Sequence, residues 1–166
     1  MDILIASDTH GRRDHLATLF DRTKMGVLLF LGDGLRDLNV LHDSVTVRAV
    51  RGNCDFFGAD VPETRVEVFG NCRIFMTHGH RFGVKHQLDA AVSAAVAAEA
   101  DILLYGHTHE PLRRTLPCGV TVGGVELKKP LQIFCPGSLG EPRGGAPSFG
   151  TLTLRDGAWL LAHGTL

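Results

Sequence analysis

Along the chain, short apolar runs alternate with segments in which apolar residues recur every three or four positions. "DILIAS" (2–7), "GVLLFLGD" (26–33), "VTVRAVRGN" (45–53) and "DILLYGH" (101–107) are nearly continuous in apolar residues, the pattern of strands buried on both faces. Between them, "RRDHLATLFDRTK" (12–24) spaces Leu16, Leu19 and Phe20 at helical intervals, and "LRDLNVLHD" (35–43) does the same with Leu35, Leu38 and Leu41. "HQLDAAVSAAVAAEAD" (86–101) is rich in alanine, which favours helix and allows close packing on a sheet. This alternation predicts an α/β fold. "TRVEVFG" and "CRIFMTHGH" meet at Gly70-Asn71 and read as a β-hairpin, as does "FGTLTLRDGAWLLAHG" around Asp156-Gly157, so the sheets must be mixed. The stretch "PGSLGEPRGGAPSFG" (136–150) is a loop by its density of Gly and Pro.

In open α/β sheets, ligands gather outside the carboxyl ends of strands, and the polar residues of this chain collect there. The first strand runs out into Asp8-Thr9-His10, the second into Gly32-Asp33, the third into Gly52-Asn53, the hairpin strand into His78-Gly79-His80, and "LLYGHTH" into His107 and His109. Residues i and i+2 of an extended chain point the same way, so His107 and His109 are spaced to converge on one object. Carboxylate, amide and imidazole donors in this mixture suit borderline divalent metals such as Mn, Fe, Zn, Ni or Co, whereas a structural zinc site would be richer in thiolate. Each motif alone reads more simply as a turn or helix cap; the case for a metal site rests on their all falling just past apolar strands.

Composition narrows the setting. With 166 residues, 44% hydrophobic and 21% charged, the chain is expected to form one globular domain over 1–166. A net charge of −1 supplies no general grip on nucleic acid or an anionic membrane. "LRR" (112–114), "ELKK" (126–129) and Arg143 could at most make a small basic rim. The four cysteines, Cys54, Cys72, Cys118 and Cys135, form no C-x-x-C pair, which favours reduced thiols and a cytoplasmic protein. Cys72 and Cys135 read as core thiols, and His15, His42, His86 and His163 as packing or solvent-facing residues. The N-terminal "MDILIASDTHG" lacks a basic start and is too short in apolar residues for a signal peptide or a membrane span.

The ordered set D-x-H, G-D, G-N, H-G-H and G-H-x-H, together with "RGNCD" and "PGSLGEPR", resembles the calcineurin-like metallophosphoesterase superfamily, and within it the compact YfcE-like phosphodiesterase branch. The resemblance implies a two-sheet α/β sandwich flanked by helices, in four layers, with a dinuclear metal site. It assigns Asp8, His10 and His109 to one metal and Asn53, His78 and His107 to the other, bridged by Asp33. Two divalent ions are then implied, with Mn the leading choice and Fe, Zn, Ni, Co or Mg as alternatives. Such a pair lowers the pKa of a shared water from about 15.7 toward roughly 7, giving a hydroxide for in-line attack on phosphorus. Two divalent charges less Asp8, Asp33 and hydroxide leave a net positive centre, which suits an anionic ester; Asn53, being neutral, does not cancel it.

Two positions depart from the wider superfamily. Many members carry a histidine after the G-N pair to protonate the leaving group, oriented by an aspartate three residues after the bridging one; here those positions hold Cys54 and Arg36. The catalytic set is therefore read as Asp33, Asn53, His80 and Cys54, with His80 or a metal-bound water as the candidate acid and a preference for phenol or phosphoanhydride leaving groups. Asn53, His80 and Arg143 are the candidate substrate contacts, and Asp55 is expected to fix the G-N loop. The expected substrate is a small phosphodiester chosen by the short loops 56–62, 80–87 and 136–148. A phosphomonoesterase, a metal-dependent nuclease and a non-catalytic scaffold resembling a retromer subunit stand as alternatives, and a homo-oligomer stays open. Seven chemically competent donors favour the enzyme over the scaffold.

Overall fold

The computed structural model describes all residues, 1–166. Its strands are β1 (Asp2–Ala6), β2 (Val27–Phe30), β3 (Thr46–Ala49), β4 (Thr64–Phe69), β5 (Cys72–Thr77), β6 (Ile102–Leu104), β7 (Pro111–Leu116), β8 (Thr121–Val122), β9 (Val125–Glu126), β10 (Leu131–Pro136), β11 (Ser148–Arg155) and β12 (Ala158–Thr165). Two α-helices, α1 (Arg13–Thr23) and α2 (Asp89–Ala97), accompany them. The strands make two five-stranded sheets, ordered β12-β11-β1-β2-β3 and β4-β5-β6-β10-β7, with β8-β9 as a separate ribbon. Both sheets are mixed: β1-β2-β3 and β5-β6-β10 pair in parallel, and the hairpins add antiparallel strands at the edges.

The four layers follow from the period-2 alternation within the apolar strands. In β1, Ile3 and Ile5 point between the sheets to meet Leu29, Ile74, Met76, Ile102 and Leu104, while Leu4 and Ala6 point outward to Leu16 and Leu19 of α1. On the second sheet, Leu103, Leu131 and Ile133 face outward onto Ala91, Val92 and Ala95 of α2, whose small side chains allow a close approach. Strands that serve two cores at once must be apolar at every position, which is why β1, β2 and β6 read as unbroken apolar runs.

The structure departs from the sequence-based expectation in four places. Residues 35–43 hold a 3-10 helix over Leu35–Val40 rather than an α-helix, because Asp55 ties down its first backbone N–H groups and Asp37 turns inward. The alanine-rich helix is confined to Asp89–Ala97. β3 is an edge strand with an alternating exposed and half-buried pattern, not one buried on both faces. Finally, "PLRRTL" forms β7, an edge strand whose polar alternation concealed it, and "TVGGVE" closes a small hairpin. Lys128 and Lys129 do not contribute to a basic rim: they pair with Glu126 and Asp101, both at 2.5 Å. All four cysteines are free, with Cys72 and Cys135 buried in strands as expected. No helix is long and apolar enough to cross a membrane.

Candidate metal centre

The ends of β1, β2, β3, β5 and β6 bring Asp8, His10, Asp33, Asn53, His78, His107 and His109 together. Asp8, His10 and His109 offer donor atoms that all lie within 4.8 Å of one another, and Asp33, His78 and His107 form a second such group. Asp33 lies between them: its Oδ2 is 3.8 Å from His10 Nε2 and 3.3 Å from His78 Nε2. Asn53 Oδ1 joins the second group, 3.1 Å from His78 Nε2.

Backbone and neighbouring side chains aim these donors. His78 Nδ1–H donates to the carbonyl of Leu31 (2.7 Å) and His109 Nδ1–H to that of Glu141 (2.7 Å), so each ring presents Nε2 to the cluster. Asp8 Oδ2 accepts from Ser7 Oγ (2.5 Å) and from the His107 backbone N–H (3.0 Å). That leaves Asp8 Oδ1 buried without a hydrogen-bond partner, 3.1 Å from His109 Nε2. Asp33 Oδ1 accepts from the Cys54 N–H (2.7 Å), freeing Oδ2 for the shared position. Asp55 accepts from four backbone N–H groups, those of Asp33, Gly34, Leu35 and Gly52, at 2.7–2.9 Å, and so welds the β2 and β3 loops together.

The local backbone is specialised for this convergence. Of the eight non-glycine residues with positive φ, five are donors: Asp8, His10, Asp33, His107 and His109. Left-handed backbone is unfavourable for residues with a Cβ and persists where surrounding contacts over-determine it, a recurrent feature of functional sites. Glycine is needed where donors approach the chain: a Cβ at Gly52 would sit 2.0 Å from Asp33 Oδ1, and one at Gly106 would sit 2.0 Å from Ser7 Oγ.

The electrostatics match. Burial alone would raise the Asp8 carboxyl, but the adjacent imidazoles of His10 and His109 outweigh it and hold the pKa well below the usual range. Asp33 is lowered too, with His78 overcoming its burial. Asp8 in turn raises His10, and Asp33 raises His78 against the opposing effect of burial. His107 goes the other way, lowered to about 4 by burial and by neighbouring His78. Imidazole nitrogens lie 3.2 Å apart in two places, His10 Nε2 to His109 Nε2 and His78 Nε2 to His107 Nδ1. Lone pairs converging in this way, together with an orphaned buried carboxylate oxygen, fit divalent cations of the borderline class.

The remaining expected site residues are placed differently. His80 stands beside the second group, its ring centroid 5.4 Å from that of His78, with Nδ1 buried and unpartnered. Burial and then His78 lower its pKa, so it is neutral at pH 7. Cys54 is exposed, its Sγ accepting from Asn53 Nδ2 (3.3 Å); partial desolvation of the sulfur and the Asp33 charge push its pKa up to about 11, so it is a thiol and not a thiolate. Arg143 is exposed in its loop and steadies His109 through its backbone N–H (3.1 Å); the arginine that lines the cavity next to Asp33 is Arg36. Sequence reasoning overlooked Ser7 and Asp37. The latter accepts from Thr9 Oγ1 (2.5 Å) and the Gly11 N–H (2.9 Å) and anchors the loop carrying Asp8 and His10. His15 and His163 are packing residues, hydrogen-bonded to the carbonyls of Leu139 and Cys135.

A four-layer sandwich with carboxylates and histidines converging at the strand ends defines the class of metal-dependent phosphoesterases. Residues 1–157 match the Calcineurin-like phosphoesterase superfamily domain, and the chain belongs to that superfamily. It is similar to the probable metallophosphoesterase YsnB of Bacillus subtilis, 32% identical over 95% of this chain and 87% of that one. It is also similar to the phosphodiesterase YfcE of Escherichia coli K12, 30% identical over 92% of this chain and 87% of that one. Among solved structures, a conserved Streptococcus pneumoniae protein described as a predicted phosphoesterase superposes with a TM-score of 0.77 at 28% identity, covering 99% of this chain and 88% of the other.

Proposed function

We propose that this chain is a cytoplasmic phosphodiesterase with a dinuclear metal centre. Asp8, His10 and His109 would hold one ion and Asn53, His78 and His107 the other, with Asp33 shared and Mn as the activating metal. The observation that carries this reading is the position of Asp33 Oδ2 between His10 and His78, at 3.8 and 3.3 Å, where a single oxygen can serve both groups. Two divalent ions held there would acidify a water and neutralise charge on a phosphoryl oxygen.

The protein's own residues supply the rest. Two carboxylates, Asp8 and Asp33, leave such a centre net positive, and Asn53 adds a donor without adding charge, which favours binding of a singly charged diester. Ser7, Leu31, Glu141 and Asp55 hold the donors in register, so little reorganisation accompanies the reaction. His80, neutral at pH 7, offers a hydrogen bond to substrate rather than an imidazolium proton, and Cys54, a thiol of high pKa, is a poor acid. The activity therefore fits leaving groups that need little protonation, phenols and phosphoanhydrides. The YfcE relative, named as a phosphodiesterase, supports diesters over monoesters.

The test is hydrolysis of a bis-aryl phosphate and its mono-aryl counterpart by metal-stripped protein, before and after Mn addition, with His107→Ala alongside. The expected result is cleavage restored by Mn, faster on the diester and lost in the variant. A reversed preference would make the protein a phosphomonoesterase. No turnover by folded protein with any divalent metal would favour the interaction scaffold.

A further inference from the structure

The cavity that includes His10 and Asp33 is larger than a phosphoryl group requires. Its volume is about 580 Å³, within the range of about 300–1,000 Å³ typical of small-molecule sites. Beyond the donors it is lined by Arg36, Phe56, Phe57 and Val61. Phe56 and Phe57 are 82% and 75% exposed, two adjacent aromatic rings left in water beside the candidate metal centre. The Arg36 guanidinium lies over Phe57, its Cζ 3.7 Å from the ring centroid. Apart from Asp33, two carboxylates of this cavity are already committed: buried Asp37 to Thr9 and Gly11, half-buried Asp55 to four backbone N–H groups. The lining that projects furthest into solvent is then two ring faces beside one cation, with Asp60 exposed at the edge of the same cavity.

The wall is set by the backbone. Successive turns close Gly58 N–H on Asp55 O (3.3 Å) and Val61 N–H on Gly58 O (3.0 Å). Gly58 allows the loop to press on Leu35, since a Cβ there would lie 2.4 Å from Leu35 Cδ1. The loop is thus anchored at both turns while its two rings stay open to solvent.

We propose that this wall is a subsite for a planar aromatic group, aryl or nucleobase, attached to the phosphate being cleaved. The ring stacks on Phe56 or on the free face of Phe57, and Arg36 supports Phe57 from its other face. The proposal rests on the phosphoesterase reading, because the phosphate is placed at the donor cluster. Arg36 stands where many superfamily members orient a leaving-group acid; here the position contributes to holding the leaving group.

Calorimetric titration of Mn-loaded protein with methylphosphonate, phenylphosphonate and a nucleoside phosphonate, none of which can be hydrolysed at phosphorus, tests this directly. Stacking on an aromatic side chain is expected to tighten the ring-bearing ligands by about 5- to 150-fold over methylphosphonate. The double variant Phe56→Ala/Phe57→Ala removes that margin and leaves methylphosphonate affinity and melting temperature unchanged; Arg36→Ala removes part of it. A larger margin for phenyl than for nucleoside phosphonate assigns the aryl source, and the reverse assigns the nucleobase. Equal affinities for all three ligands in the wild type, or a margin that survives the double variant, overturn the subsite. A margin in protein that hydrolyses no phosphoester keeps the subsite and overturns the phosphoesterase reading. Turnover without a margin does the opposite.

Discussion

Asp33 and Phe57 line the same cavity and are held in opposite ways. Asp33 is buried, one oxygen accepting from the Cys54 backbone and the other facing two histidines, while its own N–H is gripped by Asp55. Phe57 is three-quarters exposed, with the Arg36 guanidinium over one ring face. Groups that must meet charge at fixed distances are set by buried hydrogen bonds, which tolerate little displacement. Groups that only need to offer a flat apolar face can stand in solvent on a turn. On the proposed reading, the chemistry belongs to the core-anchored strand ends and the selectivity to a short loop.

That contrast can be broken from either side. The largest effect is expected for Asp33→Asn, which keeps the shape but removes the shared charge: diester hydrolysis should fall to the level of the protein-free control, while circular dichroism remains native. Next comes Gly52→Ala. Its new Cβ would meet Asp33 Oδ1 at 2.0 Å and push the carboxylate aside; a displacement near 1 Å lowers activity by about 10²-fold. Steady-state kinetics at saturating Mn would register this as a fall in kcat, and an unchanged kcat would show that Asp33 is not positioned by that contact.

Asp55→Asn touches no substrate and should act through positioning. An amide cannot accept from all four N–H groups, and hydrogen bonds to a charged partner contribute about 1.5–3 kcal/mol each. We expect a lower melting temperature and a loss of about 10- to 100-fold in Mn affinity or activity. Asp55→Glu would rescue neither, because the longer arm cannot reproduce the same four bonds.

The smallest effect is a pH dependence, and its sign differs with and without metal. In metal-free protein the lowered Asp8 and Asp33 stabilise the fold above the ordinary carboxylate range and lose that contribution as pH falls through their folded pKa values. The raised His10 and His78 stabilise it below the ordinary histidine range and lose their contribution as pH rises through their folded values. Metal binding requires neutral imidazoles and so releases those protons. The increase in melting temperature on adding Mn should therefore grow from pH 6 to pH 8; a constant increment would mean that His10 and His78 are not among the donors.

Much of this was readable in the sequence because strand ends announce themselves. An apolar run that breaks into Asp, Asn or His marks both an element boundary and a candidate functional position, and five such breaks, three of them at a glycine, located the donor cluster. The double-sided burial of β1 and β6 was equally visible in their unbroken apolar character. What could not be read depended on contacts between distant segments. Leu35–Val40 looked like an α-helix because its leucines have helical spacing, but Asp55, far along the chain, fixes it as 3-10. β7 was hidden because an exposed edge strand needs no apolar face. Ser7 and Asp37 act only by orienting Asp8 and its loop, and no spacing rule singles out such residues. The left-handed backbone at Asp8, His10, Asp33, His107 and His109 is a signal carried by φ alone, invisible until the chain is folded.

The central claim is that two ions share Asp33, and electron paramagnetic resonance of the Mn-loaded protein tests it most directly. The account predicts two Mn ions per chain with an exchange-coupled spectrum, converted in Asp33→Asn to the spectrum of isolated ions with loss of diester hydrolysis. A single, magnetically isolated Mn in the fully active wild type would contradict it.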